Sequence, residues 1–294
     1  MNIRFIEAFI WVARLKSFRA AAEKLYVSQA TISSRIAQLE AEFDCSLFDR
    51  KHNDITLTAK GLVLLDNAER VLHATQALKS AMNSDLETTR RLRIGVIESV
   101  VHTWFDTFLT QLKETYPKIE LELTAEPTPQ LHSLFAKGAL DIIIQTEPVL
   151  DETVINTELK SLEIVWVCCS NNILAKQPVA LAELAKSQII TFTRGSQPHL
   201  SAISLFEKIN TKPEQIHCVT SISIMCKLVQ NKLNIATLPL TAIKDELQKN
   251  QLSVIDCSQT PERLKLFASW QKTSDDMNKN IVDLMITTSQ LHSA

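Results

Sequence analysis

The sequence predicts a multidomain α + α/β chain: a compact helical head, a long connecting helix, and an α/β body folded as two lobes. Three observations point there. Two short apolar helix patterns stand back to back between Ser17 and Phe43, a helical pattern then runs unbroken from Ala59 to Thr88, and beyond Leu92 strand and helix patterns alternate twice over. The expected domains are residues 1–58, 59–88 and 92–294, the last divided into lobe I (92–161 and 267–294) and lobe II (162–266).

At 294 residues, 45% hydrophobic and 22% charged, the chain can bury sizeable cores, and no apolar run approaches the roughly 18 to 20 residues that span a bilayer. The first residues, "MNIRFIEAFIWVARLKSF", are interrupted by Arg4, Glu7 and Arg14 and lack a small-residue cleavage site. They read as a helix rather than a signal peptide, so a cytoplasmic protein is expected. The six cysteines form no Cys-x-x-Cys pair, and the seven histidines are scattered without ligand spacing, so neither a disulfide framework nor a metal is expected. Residues 1–91 carry 13 Lys and Arg against 11 Asp and Glu, while the remainder carries 18 against 22. This weak asymmetry fits a head that meets a polyanion.

In the head, an amphipathic helix carries Phe5, Phe9 and Val12. Ser17 then caps a second helix whose Phe18, Ala21, Ala22 and Leu25 share one face. Ser28 caps a third, with Ile32, Ile36, Leu39 and Phe43 at core spacing and Ala30, Ser34 and Ala37 on the opposite side. A helix set against its neighbour by a short turn can enter a DNA major groove, where amides, hydroxyls and guanidinium groups reach base edges. Gln29, Thr31, Ser33, Ser34 and Arg35 supply such groups, and the small Ala30 allows close approach; Ser17, Arg19 and Ser28 complete the candidate DNA-binding set on these two helices. A solvated helix face is the alternative use of this polar row. The stretch "SLFDRKHNDITLTAKG" reads as a hairpin wing with Arg50, Lys51 and His52 at its tip, suited to phosphate or minor-groove contacts.

In the long helix, Leu64, Val71 and Leu78 recur by sevens, with Ala68, Thr75 and Met82 offset by four. Residues 59–88 would extend about 45 Å, long for a helix that packs only on its own small head. A dimer seam is the expected use, and two heads would then meet a two-fold related DNA site.

"SFRAAAEKLYVSQATISSRIAQLEAEF", "SLFDR" and "LTAKG" resemble the LysR-type transcriptional regulators, and length and element order agree with that family along the whole chain. Departures occur at Lys16 and Asp44, where the family often has glycine, at Ala30, where it has proline, and at Asn234, usually glycine. The resemblance implies a winged helix-turn-helix head, a dimerising linker helix, a two-lobed periplasmic-binding-protein-like effector domain, and dimers that pair into a homotetramer. It also implies promoter DNA and a small-molecule effector as partners, with RNA polymerase as a further contact.

In the body, Leu92–Val96, Ile119–Ala125 and Leu140–Ile144 read as strands separated by helices, which predicts a parallel sheet. A second such unit follows Leu162, and "LKLFASW" with the closing helix returns to the first. Ligands in open α/β sheets bind beyond strand carboxyl ends. On lobe I this places Glu98, Ser99, Val100, Thr128, Thr146 and Glu147 at the cleft. Across it lie Phe192, Thr193, Arg194 and Ser221, which resemble the family's effector-contacting loops. Each hydroxyl taken alone could equally be an ordinary helix cap. Free N–H groups beside Ser99 favour an organic anion. Glu98, Glu126 and Glu147, set against the lone cation Arg194, favour an amine or zwitterion instead, and both readings stay open beside an uncharged effector or none.

Catalysis is not expected, because four glycines leave no phosphate-cradling loop and no Gly-x-Ser-x-Gly elbow occurs. No cofactor is expected either. A solute-binding transport protein would need export. The alternative within the same family is a cysteine-based redox sensor using Cys218 and Cys226 or the adjacent Cys168 and Cys169, although both sets fall in expected strand or helix core.

Overall fold

The computed structural model describes residues 1–49, 55–82, 90–230, 234–272 and 276–291. Two compact units make up the chain, Met1–Thr88 with Ser133–Leu140 and Thr89–His132 with Asp141–Ala294.

The first unit opens with α1 (Ile3–Leu15), α2 (Phe18–Lys24) and α3 (Gln29–Glu42). Each begins on a polar cap: Asn2 Oδ1, Ser17 Oγ and Ser28 Oγ accept the backbone N–H of Arg4, Ala20 and Thr31. Ile6, Phe9, Val12, Ala21, Ile32, Ile36 and Leu39 close one core between the three helices. Phe43, expected in that core, is 44% exposed. It is the C-cap of α3, and Asp44 behind it turns left-handed at φ 47°, so its side chain leaves the helical face. Lys16, where the family often has glycine, is left-handed as well, at φ 49°.

A two-residue ladder pairs β1 (Phe48–Asp49) with β2 (Thr56–Leu57); Ile55, expected in the second strand, precedes it. The tip between them, with Arg50, Lys51 and His52, lies outside the described residues. Thr58 then starts α4 (Ala59–Met82), its Oγ accepting from Gly61 N–H and donating to the Ser46 carbonyl. Residues 83–88 of the expected linker helix also lie outside the described residues. Ala68 is buried, and Leu64 and Leu72 pack against the head core, so this part of the expected dimer seam faces its own head. Leu62, Val63, Val71 and Leu78 stay exposed.

The second unit runs β3 (Arg90–Val96), α5 (Glu98–Val101), α6 (Phe105–Thr115), β4 (Ile119–Ala125), α7 (Thr128–Ala136, of which the part from Ser133 onward belongs to the first unit), β5 (Ile142–Gln145) and β6 (Val154–Leu162). It continues with β7 (Ile164–Cys169), α8 (Leu181–Leu184), β8 (Gln188–Thr191), α9 (Gln197–Lys208), β9 (Gln215–Cys218), α10 (Ile222–Gln230), β10 (Asn234–Pro239), α11 (Lys244–Gln248) and β11 (Leu252–Val254). It closes with β12 (Leu264–Gln271) and α12 (Met277–Leu291). One sheet has the order β4-β3-β5-β12-β6 and the other β11-β7-β10-β8-β9. The chain passes from the first sheet to the second at Glu163 and returns between β11 and β12.

Neither sheet is purely parallel, which corrects the sequence expectation. β3, β4 and β5 are parallel, but β12 runs antiparallel to β5 and β6; β8, β9 and β10 are parallel, but β7 runs antiparallel to β10 and β11. β6 escapes pattern reading because it is an edge strand with mostly exposed or half-buried residues. β7 and β5 are buried throughout and read as continuous apolar runs. In lobe I, the Arg93 guanidinium and backbone N–H all donate to Asp141, with Nη2 to Oδ1 at 2.6 Å, joining β3 to the start of β5. In lobe II, a buried hydroxyl pair, Thr191 and Thr237 at 2.8 Å, joins β8 to β10.

Candidate DNA interface and ligand cleft

Helix α3 shows a sharp division. Ile32, Ile36 and Leu39 are fully buried, while Gln29, Ala30, Ser33, Ser34 and Ala37 are exposed. Thr31 and Arg35 are half-buried on the flanks. Ser28 and Thr31 hydroxyls bond each other at 2.8 Å at the helix start, and Ser34 Oγ accepts from Gln38 Nε2 at 3.2 Å. Gln38, one turn beyond Ser34, is exposed on the same row and was missed; its i+4 spacing from Ser34 was the available signal. Ser17 Oγ is the cap of α2, and Arg19 is exposed and paired with Glu23 at 3.1 Å. The outward face thus offers an amide, two hydroxyls and a methyl within two helical turns, with no apolar bulk to hold it off a groove floor.

In the second unit, a cavity of about 890 Å³ opens between the two sheets. It sits beyond the carboxyl ends of β3, β4, β5, β8 and β9, where parallel strands leave loops and helix starts facing a common space. Of the sequence-derived positions, Glu98, Ser99, Thr128, Thr146, Glu147, Phe192, Thr193, Arg194 and Ser221 line it. Val100 does not: it is fully buried, because the single turn of α5 directs its side chain into the lobe I core. Sequence reading missed His132, Ser196, Thr220 and Leu264. His132 was within reach of that reading, one helical turn after Thr128 on α7.

The polar groups are partly committed to each other. Thr128 and Thr146 hydroxyls bond at 3.0 Å, and His132 Nε2 lies 3.2 Å from the Glu147 carbonyl oxygen, which also accepts from Gln145 Nε2. The Gly195 N–H donates to His199 Nδ1 at 3.1 Å, so that ring nitrogen is an acceptor. Burial, and then the Arg194 charge, hold His199 below its ordinary pKa of 6.5, in keeping with a neutral ring. Ser196 Oγ at the start of α9 is buried and has no hydrogen-bond partner among the described residues. Glu98 reaches across the cleft: Oε1 accepts from Ser221 Oγ and Oε2 from the Ile222 N–H, each at 3.0 Å. Arg194 is the one lysine or arginine among the described lining residues, against three glutamates.

The cysteines bear on the redox alternative. Cys168 and Cys226 are buried, and burial pushes both thiols up to about 11, helped at Cys168 by Cys169 and at Cys226 by Glu246. That is opposite to the depressed pKa of a reactive thiol. Cys218 is exposed on β9 rather than in the core as expected, because β9 is an edge strand. None of the described cysteines lines the cavity.

A helix-turn-helix head and a two-lobed cleft in one chain define the class: a DNA-binding transcriptional regulator with an effector-binding body. The chain matches the family model described as "Bacterial regulatory helix-turn-helix protein, lysR family" over residues 3–62 and that described as "LysR substrate binding domain" over residues 86–279. It therefore belongs to the LysR family of transcriptional regulators. It is 27% identical over 259 residues to the DNA-binding transcriptional dual regulator OxyR of Escherichia coli, covering 87% of this chain and 85% of that protein. Its fold is similar to a full-length OxyR variant from Pseudomonas aeruginosa, with TM-score 0.69, 19% identity and 100% and 96% of the two chains covered. It is similar as well to full-length CbnR complexed with target DNA, with TM-score 0.69, 18% identity and 100% of both chains covered. Among the described residues, no helix is long and apolar enough to cross a membrane.

Proposed function

We propose that this regulator reads promoter DNA through the outward face of α3, with Gln29, Ala30, Thr31, Ser33, Ser34 and Arg35 in the major groove and Ser17, Arg19 and Ser28 near the flanking phosphates. The supporting observation is the division of α3, which seals Ile32, Ile36 and Leu39 while leaving a two-turn row of small polar residues open. The protein acts in the cytoplasm, without catalysis, as a homodimer joined through the long helix that pairs into a tetramer. The exposed Leu62, Val63, Val71 and Leu78 on α4 support that use. The cavity takes a small organic effector, lined by Ser99, Thr128, Thr146, Phe192, Thr193 and Arg194. Effector binding shifts the population of lobe arrangements in proportion to its differential affinity for them, and the DNA-bound state follows.

The test is fluorescence anisotropy of the full-length protein on promoter fragments recovered by genome-wide mapping of its bound sites. Replacing Ser33 and Ser34 with Glu sets two carboxylates against the phosphates and should abolish binding while the thermal melt stays unchanged. Undiminished affinity in that variant would overturn the assignment of α3.

A further inference from the structure

The start of α10 suits an anion, with an Ile222 N–H that has no acceptor within the helix, a hydroxyl at Ser221 and the positive end of a nine-residue helix. It is already occupied by a carboxylate from the opposite wall. Glu98 follows β3 in lobe I, yet its two oxygens take the Ser221 hydroxyl and the Ile222 N–H, 123 and 124 residues away in lobe II. His102, one turn along, lies 3.3 Å from the same Oε1 and holds the side chain from its own lobe. The open volume of the cleft lies beside this bridge, which both Glu98 and Ser221 line.

We propose that Glu98 is an internal ligand that clasps the two lobes together, standing where the acid group of an effector would sit. This rests on the reading of the cavity as the effector site, and it gives the two charged chemistries left open there different consequences. A ligand carboxylate and Glu98 exclude each other at the start of α10, so a carboxylic acid releases the clasp and frees lobe II from lobe I. An amine drawn to Glu126 and Glu147 leaves the clasp in place and transmits nothing through it. The released Glu98 keeps His102, on its own lobe, as a hydrogen-bond neighbour.

Hydrogen–deuterium exchange of the full-length protein tests this at a single amide. In Glu98→Ala, exchange of the Ile222 N–H should rise about 10- to 100-fold, the factor for one lost hydrogen bond to a charged group. Amides in the last turn of α10 should not change, nor should Ile222 in Glu147→Ala. Sodium acetate should restore protection of Ile222 in Glu98→Ala, and tetramethylammonium chloride at equal ionic strength should not. Unchanged Ile222 exchange in Glu98→Ala, or a rise that acetate fails to reverse, overturns the proposal. Failure of the effector reading itself would appear elsewhere, as wild-type protein that retains DNA binding but gives no calorimetric heat with any carboxylate or amine.

Discussion

Gly61 passes directly beneath the carbonyl oxygen of Leu47, so close that a Cβ on Gly61 would collide with it and would also meet Leu57 Cδ2 at 3.0 Å. The first turn of α4 thereby lies on the hairpin, with the Leu47 carbonyl also accepting from the Thr58 N–H. Backbone cannot give way as a flexible side chain can. Gly61→Ala should therefore destabilise the head by about 1–3 kcal/mol, the usual cost of overpacking. Differential scanning calorimetry would register it as a lowered first transition, and an unchanged melt would contradict the close approach.

Lys16 ends α1 in a left-handed conformation that L side chains adopt at a cost of about 1–2 kcal/mol. Glycine removes that cost but gives the unfolded chain about 0.4–1 kcal/mol of extra freedom. Lys16→Gly should accordingly stabilise the head by about 0.5–1 kcal/mol, given these two terms. Asp44→Gly should gain less, since aspartate tolerates this region better. Thermal melts of the two variants give the comparison directly.

DNA affinity and effector response should separate. Arg35→Ala should weaken promoter binding by about 1–3 kcal/mol if its guanidinium meets a base, or lower the salt slope by about one if it meets a phosphate. Ser99→Ala should leave affinity for DNA intact and blunt the response to effector. Anisotropy titrations at several salt concentrations, with and without ligand, would show both, and an equal loss of DNA binding in the two variants would refute the division.

Acid should destabilise the body through His199. Its folded pKa lies below the ordinary 6.5, so the unfolded chain binds the proton more readily. The stability it contributes is complete above about pH 6.5 and is lost as pH falls toward the lower folded value. His199→Asn keeps an acceptor for the Gly195 N–H without the titration. Its melting temperature should fall less than that of the wild type between pH 7 and pH 5.

Thiol chemistry should be confined to the surface. Cys168 and Cys226, with thiols near 11, are all but fully protonated at neutral pH and should resist a maleimide, whereas exposed Cys218 should react promptly. Mass spectrometry would count the adducts. The double variant Cys218→Ser and Cys226→Ser should retain its effector response; loss of that response would revive the redox alternative.

Local order was legible where one residue type has one physical use. Ser28 capping α3, the Ile32, Ile36 and Leu39 spacing, and the buried runs of β5 and β7 all stand in the amino acids themselves. β6 was not legible, because an edge strand exposed on both faces has no alternation to display. Ala68 looked like part of a seam because a heptad does not say which of two neighbours an apolar stripe meets. Most cleft positions could be placed at strand ends, but the Glu98 bridge to Ser221 joins residues 123 apart, and no local pattern encodes such a meeting.

The polypeptide passes between its two sheets twice, once at Glu163 and once between β11 and β12. Two covalent ties side by side permit little sliding and leave rotation about the line through them as the soft coordinate, as in a hinge. A ligand seated between the sheets would therefore act on one angle, and the Glu98 bridge between them would resist a change in that angle.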